Sequence, residues 1–404
     1  MAREIEATDS DPEGVGIMVR KARIYPVRLD AVPLKAAPLL KQELLAVGGD
    51  AAHARGIADH SVATSAVVLL ATWTQYQHLL PKLRRQPFGL RSLADEVDRA
   101  LRAYVGRGPV TLAGAHRALA FGPRPRVLGV VNVTPDSFSD GGRFLDPAAA
   151  IAQADRLVAE GADAIDLGAE STRPDAVPVP PEQEWARLEP VLVPLARRST
   201  VPLSVDTRHA EVARRALDAG ADIVNDVEGL RDEAMREVVA GTGSAVIVMH
   251  MRGTPTTMQQ QTDTADVRGD VFRALAKATD LAEASGIAPE KLVVDPGLGF
   301  GKTAEQSLEL LAHVGELRSL GYPVAVGASR KSFLGWATGE PEPLARVDAG
   351  VAAALCAAEQ GVAIIRTHDV APTVRALRLW ERIELARRRL PQSREGQAAA
   401  EPVL

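Results

Sequence analysis

Eight short apolar segments of the chain end in side chains that are able to do chemistry. One or two such residues are expected as caps of the helices that follow, but capping does not explain a polar group after every segment. The pattern therefore predicts one shared site built from carboxylates, amides and cationic side chains. The polar residues at the eight ends are Asn132, Glu170, Asp206, Asn225, His250, Asp295, Ser329 with Lys331, and Arg366 with His368.

The longest polar motif runs from Gly129 to Gly142. A buried strand gives way there to a loop that is rich in oxygen ligands and ends in two glycines. At the end of that strand, the side-chain carbonyl of Asn132 suits a hard cation such as Mg²⁺. We expect the loop that follows it to be mobile.

The elements that must position these residues follow a regular alternation. Apolar segments rich in Val and Ile alternate with helical stretches, which is typical of a parallel sheet covered on both faces. Eight repeats predict a (β/α)₈ TIM barrel, in which the strand ends converge on the rim where active sites form. A doubly wound open sheet is the alternative, although it does not usually need eight repeats. The strands are predicted at 127–132, 164–167, 202–206, 223–225, 245–250, 292–295, 324–327 and 363–366.

The chain is expected to divide into four parts. Residues 109–390 form the barrel, and residues 15–108 form a smaller α/β or α+β module whose role the sequence does not reveal. The charged start, residues 1–14, and the end rich in Ala, Glu and Pro, residues 391–404, are predicted to be flexible tails.

Within the N-terminal module, apolar patterning predicts two strands and two helices. Ser92 is expected to cap a further helix with apolar residues at amphipathic spacing. A short stretch between Pro109 and Gly122 is expected to form a hairpin across the bottom of the barrel. The two strands are predicted at 23–29 and 66–71, and the two helices at 38–47 and 75–83.

Composition excludes several classes of protein. The 404 residues are 46% hydrophobic and 25% charged, which is ordinary for a globular protein and excludes a disordered or fibrous one. The net charge of -5 argues against binding to nucleic acid or to an anionic membrane surface. No membrane-spanning or secretion segment is predicted. The single cysteine, Cys356, allows no internal disulfide, so a reducing, cytoplasmic location is expected.

The motifs closely resemble those of the dihydropteroate synthases, a family of pterin-binding barrels. The resemblance keeps the family's order of motifs, and their length makes it highly specific. Two positions depart from the family pattern: Leu298, which is often aromatic, and Thr367, which is often valine. The matching segments are 129–142, 166–174, 204–207, 225–227, 249–259, 295–302, 327–332 and 366–370.

The resemblance implies a transferase of folate biosynthesis. Its reaction joins 6-hydroxymethyl-7,8-dihydropterin diphosphate to 4-aminobenzoate and releases 7,8-dihydropteroate and diphosphate. The resemblance further implies Mg²⁺ as the cofactor, with Asn132 as its ligand, and inhibition by sulfonamides that mimic 4-aminobenzoate. The expected partners are these small molecules and a second copy of the chain in a homodimer.

The same resemblance assigns the pterin site. A pterin presents a guanidine-like N–H edge, which requires buried acceptors that take paired hydrogen bonds. Asp206, Asn225 and Asp295 would supply these acceptors, and Lys331 would donate to the pterin carbonyl and ring nitrogen. Asp206, Asp295 and Lys331 are also the expected catalytic residues, because carboxylates stabilise positive charge that develops on the pterin. Taken alone, Asp206 is equally well explained as a helix cap.

The other side of the pocket is expected to hold the diphosphate and the amine. Arg offers a planar fork that suits phosphate oxygens, and the last loops of such barrels often bind phosphate. The diphosphate-binding residues would be Asn132, Arg173, Arg366 and His368. Mobile loops and the sixth and seventh strand ends would enclose 4-aminobenzoate through Phe138, Thr172, Pro174, Phe300 and Ser332.

Two rival functions share parts of this pattern. A corrinoid methyltransferase that uses methyltetrahydrofolate has the same kind of pterin pocket but needs no diphosphate site. A non-catalytic pterin-binding scaffold would lack the mobile-loop residues that are present here. One further motif is rejected: Gly301-Lys302-Thr303 resembles the tail of a phosphate-binding loop, but Pro296 occupies the position of the required first glycine.

Overall fold

The computed structural model describes residues 2–106, 111–133, 146–170 and 178–388. The chain divides into two compact units between Val105 and Gly106. Several sequence-based predictions lie outside the described residues: those for Phe138, Thr172, Arg173, Pro174 and the tail 391–404.

The N-terminal unit is built on an antiparallel sheet of three strands. The sheet has the strand order β1–β3–β2, and its buried face packs with the helices in one apolar cluster that includes Leu40, Leu69 and Leu79. The elements of this unit are α1 (Ala2–Glu6), α2 (Pro12–Lys21), β1 (Ile24–Pro33), α3 (Ala36–Leu45), β2 (Asp50–His53), β3 (Thr64–Thr72), α4 (Trp73–Leu83) and α5 (Leu90–Val105).

The strands and helices predicted for this unit are present, with three differences. The short strand β2 carries too little pattern to be predicted. Helix α1 and the first residues of α2 lie in the stretch 1–14 that composition assigned to a tail, and Asp11 caps α2 by accepting from the backbone of Glu13. The prediction that Ser92 caps a helix is wrong, because α5 begins at Leu90 after a turn in which Phe88 and Gly89 both have positive φ.

The second unit is a closed barrel of parallel strands. In the part of the chain described, eight strands pair in the order β11–β10–β9–β8–β7–β6–β13–β12. A parallel bridge between Val294 and Val324 joins the two ends of this order. The elements are β4 (Thr111–Ala113), β5 (Ala118–Ala120), β6 (Arg126–Asn132), α6 (Pro147–Ala159), β7 (Ala164–Gly168), α7 (Pro181–Ala196), β8 (Leu203–Asp206), α8 (Ala210–Asp218), β9 (Ile223–Asp226), α9 (Glu233–Thr242), β10 (Ala245–Met249), α10 (Val267–Ala284), β11 (Leu292–Asp295), α11 (Ala304–Ala312), β12 (Ala325–Gly327), α12 (Ser332–Thr338), α13 (Val347–Glu359), β13 (Ile364–Thr367) and α14 (Val370–Arg388).

The predicted (β/α)₈ TIM barrel is therefore confirmed, and its strands start and end within two residues of the predicted positions. The connecting helices carry their apolar residues on the face that packs against the sheet. Within the described ranges, no helix combines the length and apolarity needed to cross a membrane.

The strand period of two separates the barrel interior from its outer face. Val127 and Ile165 point outward into the large cluster shared with the helices. Leu128, Ala164 and Ile223, one position away, belong to a smaller cluster inside the barrel. Two residues further along the strands, toward their carboxyl ends, the inward positions carry polar residues: Asp166, Asn225, Asp295 and Arg366.

The predicted hairpin is also confirmed. Strands β4 and β5 pair antiparallel, and Leu112 and Leu119 join the apolar cluster inside the barrel. Arg117 donates to the buried carboxylate of Asp222, which directly precedes β9, at 2.6 Å. Because these contacts are made before the strands begin, the hairpin closes the amino end of the barrel and leaves the carboxyl end to the site.

Candidate functional site

Arg366, on β13, lies between two carboxylates at the carboxyl end of the barrel. Its Nε donates to Asp166 Oδ2 at 2.6 Å, and its Nη2 donates to Asp206 Oδ2 at 2.8 Å. Asn225 also donates to Asp166 Oδ2, at 3.2 Å. Burial lowers the pKa of Arg366, but the two carboxylates outweigh that effect and hold its pKa above the ordinary value. The guanidinium is therefore a permanent cation that fixes the positions of both acids.

Asp206 can pair with Arg366 because its carboxylate does not cap a helix. Helix α8 begins only at Ala210. Its N-cap residue is His209, whose side chain makes no capping hydrogen bond. The hydroxyl of Thr207 accepts instead from the backbone N–H of His209, at 3.1 Å. In the sheet, Asp206 lies opposite Asn225 on one side and opposite Gly168 on the other. Burial raises the pKa of the Asp206 carboxyl to about 7, against the lowering effect of Arg366.

Asp295 and Lys331 form the opposite part of the same pocket. Asp295 Oδ1 accepts from the backbone N–H of Gly297 at 2.6 Å. Lys331 Nζ donates to the carbonyl of Leu298 at 2.6 Å and lies 4.5 Å from the centre of the Phe300 ring. Burial raises the pKa of Asp295. Burial also lowers the pKa of Lys331, to about 8, although Asp295 favours its charged form.

A third group joins the first and last barrel strands. Asn132 Nδ2 lies 3.4 Å from His368 Nε2. The backbone N–H and Nδ1 of His368 each lie 3.2 Å from Ser329 Oγ, which donates to Asp369 at 3.3 Å. Ser329 therefore holds the imidazole with its Nε2 toward Asn132. Ser332 lies outside these contacts, as the exposed first residue of α12.

Acids and a histidine also meet beside the rim. Ligand atoms of Glu170, Glu184 and His209 lie within 4.8 Å of one another. Both oxygens of Glu170 accept from the guanidinium of Arg208, at 3.0 and 3.1 Å, and His209 Nδ1 lies 2.6 Å from a Glu184 oxygen. Since a cation already occupies both Glu170 oxygens, the arrangement is an ion-pair network between β7, β8 and α7.

The structure thus brings Asn132, Asp206, Asn225, Asp295, Lys331, Arg366 and His368 to one end of the barrel, with Phe300 against Lys331. Sequence reasoning missed Asp166, although a buried carboxylate inside an apolar strand is itself a signal. Its Oδ1 is buried without a hydrogen-bond partner. Sequence reasoning also missed Lys302, which it dismissed together with the rejected phosphate-loop motif.

The chain is similar to known pterin-binding proteins. The family described as pterin binding enzyme matches residues 128–368. A dihydropteroate synthase from Neisseria meningitidis serogroup C is 46% identical over 262 residues, which cover 64% of this chain and 92% of that relative.

A probable bifunctional folylpolyglutamate synthase/dihydropteroate synthase from Haloferax volcanii is 40% identical over 358 residues. That match covers 86% of this chain but only 42% of the relative. The solved dihydropteroate synthase of Xanthomonas albilineans with 4-aminobenzoic acid is 45% identical, with a TM-score of 0.65. The match covers 69% of this chain and 99% of that structure. The chain therefore belongs to the dihydropteroate synthase family, the transferases that join a dihydropterin diphosphate to 4-aminobenzoate in folate biosynthesis.

Proposed function

We propose that this chain carries out the dihydropteroate synthase reaction at the carboxyl end of its barrel, with the pterin held by Asp206, Asn225, Asp295 and Lys331. The observation that carries this assignment is the convergence of buried acids, an amide and a lysine on one pocket. The acids face the donor edge of the pterin, and the lysine faces its carbonyl.

The charges of the pocket suit a cationic transition state. When the carbon–oxygen bond to the diphosphate breaks, the electron pair leaves with the diphosphate and positive charge spreads into the pterin. Asp206 and Asp295 stabilise that charge in a site sheltered from water, where fixed electrostatics is usually the largest catalytic contribution. The amine of 4-aminobenzoate then forms the carbon–nitrogen bond, and its proton passes to the released diphosphate or to water. A neutral amine needs no strong base for this attack.

Asn132, Arg366 and His368 are assigned to the diphosphate, together with Arg173, which lies outside the described residues. The proximity of Asn132 and His368 supports this placement, because it joins two of these residues at one point of the rim. Arg366 uses two of its N–H groups on Asp166 and Asp206. It therefore lies between the two halves of the site and neutralises acids of the pterin pocket as well.

Asn132 fits the proposed role of Mg²⁺ ligand. Its amide nitrogen faces His368, and its oxygen lies beside Gly168, where a Cβ would come 3.7 Å from it. Mg²⁺ typically uses one or two protein oxygens together with water and substrate phosphates. A bound Mg²⁺ would supply positive charge that neutralises the departing diphosphate.

Phe300 and Ser332 are proposed to contact 4-aminobenzoate, with Phe138, Thr172 and Pro174 from outside the described residues. The contact between the Phe300 ring and Lys331 supports this, because it places an aromatic surface beside the proposed pterin site. Sulfonamides mimic 4-aminobenzoate, so the same residues would bind them.

A single-turnover assay tests the proposal. Purified protein, dihydropterin diphosphate, 4-aminobenzoate and Mg²⁺ should yield dihydropteroate and diphosphate. Asp295→Asn should reduce the rate by at least about 10²-fold, since it removes a charge that stabilises the transition state. The exposed Asp280→Asn is the matched control and should leave the rate unchanged. Folded protein without product, or equal rates in both variants, would refute the site.

The chain is also proposed to act in the cytoplasm as a homodimer. Exposed apolar side chains on two barrel helices support self-association: Trp336 on α12 is 59% exposed, and Leu379 on α14 is 64% exposed. Sedimentation equilibrium measures the mass directly, and a monomer at micromolar concentration would contradict the proposal.

A further inference from the structure

Lys302, a residue of the rejected phosphate-loop motif, is almost completely buried, at 3% exposure. It follows the segment 296–301, which connects β11 to α11. Its Nζ lies 2.9 Å from the carbonyls of Gly297 and Phe300, 2.9 Å from His250 Nδ1 and 3.2 Å from the His250 carbonyl. All four of these partners are neutral acceptors, three of them on the backbone.

The segment that Lys302 holds contacts two residues of the site, Asp295 and Lys331, and itself carries a third, Phe300. The Gly297 N–H donates to Asp295, the Leu298 carbonyl accepts from Lys331, and the Phe300 ring lies under the Lys331 ammonium. The carbonyls of Gly297 and Phe300 turn the other way, toward Lys302. The segment thus presents one face to the pocket, and on its other side the Lys302 amine binds two of its carbonyls.

The backbone of the segment passes close to the β10 loop. Gly297 has a φ of +63°, and a Cβ at this position would lie 2.0 Å from the His250 carbonyl. Such a conformation is open to glycine and strained for other residues. The same carbonyl accepts from Lys302, which therefore clamps the two loops together where they touch.

We propose that Lys302 is a positioning residue of the synthase reaction: by fixing segment 296–301 against His250, it places Lys331 and Phe300 for the attack of 4-aminobenzoate. The inference rests on the site assignment proposed above for these two residues.

The physical chemistry of the amine supports this role. A buried amine costs free energy unless its N–H groups are all satisfied, and a lysine without a task would extend its amine to water. Burial lowers the pKa of Lys302, which means that its position in the structure disfavours the charged form of the amine. Burial and the nearby Lys302 keep His250 neutral, with a pKa lowered to about 2, which leaves Nδ1 able to accept.

Lys291 provides a matched control at the other end of β11. Its Nζ also donates to backbone carbonyls, those of Ala113 and Gly243, each at 2.7 Å. These contacts tie the closing hairpin to the barrel and touch no residue of the proposed site. A lysine that only contributes stability should behave alike at both positions, whereas a positioning residue should not.

The test compares Lys302→Met with Lys291→Met in the full-length protein, using steady-state kinetics for both substrates. Lys302→Met should lower kcat/KM for 4-aminobenzoate by about 10²-fold, because small displacements of positioned groups have effects of that size. Binding of dihydropterin diphosphate should weaken less, since Asp206 and Asn225 remain in place. Lys291→Met should leave the kinetic constants of the folded fraction unchanged. Equal losses in both variants, after correction for folded fraction by urea titration, would overturn the inference.

Two further variants keep the result interpretable. Lys302→Gln retains N–H donors, so it should fold even if Lys302→Met does not. Its loss of kcat/KM for 4-aminobenzoate should be intermediate between wild type and Lys302→Met. If both variants are stable and have wild-type kinetics, the role of Lys302 is refuted.

Phe300→Ala tests the site itself. If Phe300→Ala leaves KM for 4-aminobenzoate unchanged, the site assignment is wrong. If it raises KM while Lys302→Met does not, the assignment stands and the positioning role of Lys302 is wrong.

Discussion

Arg366 has a larger part in the pocket than a phosphate contact would require. It binds Asp166 and Asp206 at once, and with Lys331 it sets two cations against three carboxylates, including Asp295. The pocket therefore stays slightly negative when all five side chains are charged. In the proposed site that balance would favour a cation forming on the pterin, and it predicts that substitution of Arg366 weakens pterin binding as well as diphosphate binding.

The raised pKa of Asp206 predicts a pH dependence of pterin binding. Burial raises this pKa to about 7; Arg366 lowers it, and Asp166, Glu184 and Asp226 raise it further. The pterin N–H edge requires an ionised acceptor, so affinity should fall as pH drops from about 8 to about 6, by at most about tenfold per pH unit. Calorimetric titration of free pterin across this range measures the effect.

The raised pKa of Asp206 changes the stability of the fold with pH in the opposite direction from pterin binding, so the two effects can be measured separately. Because the folded pKa of Asp206 exceeds the unfolded value, the folded state binds the extra proton between about pH 4 and pH 7. This carboxyl therefore favours folding at the lower pH of that window and loses that contribution as pH rises through about 7. Asp206→Asn should bind pterin weakly at every pH. If pterin binding by Asp206→Asn kept the wild-type pH dependence, a group other than Asp206 would be responsible for that dependence.

His368 should discriminate between the substrate and free pterin. His368→Ala is expected to weaken dihydropterin diphosphate binding by roughly 10-fold or more, the loss typical of a hydrogen bond to a charged group. Free pterin has no diphosphate, so its affinity should change little. Ser329→Ala should give a smaller loss in the same direction, because Ser329 only orients the ring. Equal losses for the two ligands would remove His368 from the anion site.

At this scale the sequence identifies residues at strand ends better than residues within strands. Asp206, Asn225 and Asp295 follow apolar runs, so fold periodicity alone predicts that they meet. Asp166 lies inside a run, where only its inward register reveals that it faces Arg366. Lys302 was missed because a buried lysine that donates hydrogen bonds to backbone carbonyls has no sequence signature.

Among the elements, parallel strands were the most predictable. Continuous burial on both faces leaves apolar runs with abrupt ends, and all eight barrel strands lie within two residues of their predicted bounds. The N-terminal helices were less predictable, since their limits depend on turns. The start of α5 is set by the turn at Phe88 and Gly89 rather than by Ser92.

The hairpin β4–β5 should matter for stability and not for chemistry. Leu112 is fully buried inside the barrel, so Leu112→Ala should lower the free energy of unfolding by about 2–5 kcal/mol. Leu281 on α10 is 42% exposed, and Leu281→Ala should change it by less than about 0.5 kcal/mol. Pulse proteolysis in urea measures both values. At low temperature Leu112→Ala should keep the wild-type kcat, because the site lies at the other end of the strands; a fall in kcat would link the two ends.

For the whole molecule, the comparisons separate the two units. The Haloferax volcanii relative matches 86% of this chain, an extent that must include part of the N-terminal unit. The Neisseria meningitidis synthase is matched over 92% of its length by 262 residues of this chain, and the solved Xanthomonas albilineans synthase over 99% of its length. Synthases of about the size of the barrel unit therefore exist without an N-terminal unit like this one.

A shortened chain that begins at Gly106 should accordingly fold and turn over. Every described residue assigned to the pterin, the diphosphate or 4-aminobenzoate lies at or after Asn132, and the barrel has its own apolar cluster. Distant, independent parts of a protein typically add within about 0.5 kcal/mol, so kcat/KM should stay within about twofold of the full-length value. The measurement is steady-state kinetics on both chains at matched folded fraction, with sedimentation to compare their masses. If the shortened chain is folded, keeps the assembly of the full-length protein and is inactive, the N-terminal unit supplies a group to the site. If it is inactive only because it no longer forms a dimer, the N-terminal unit is required for assembly.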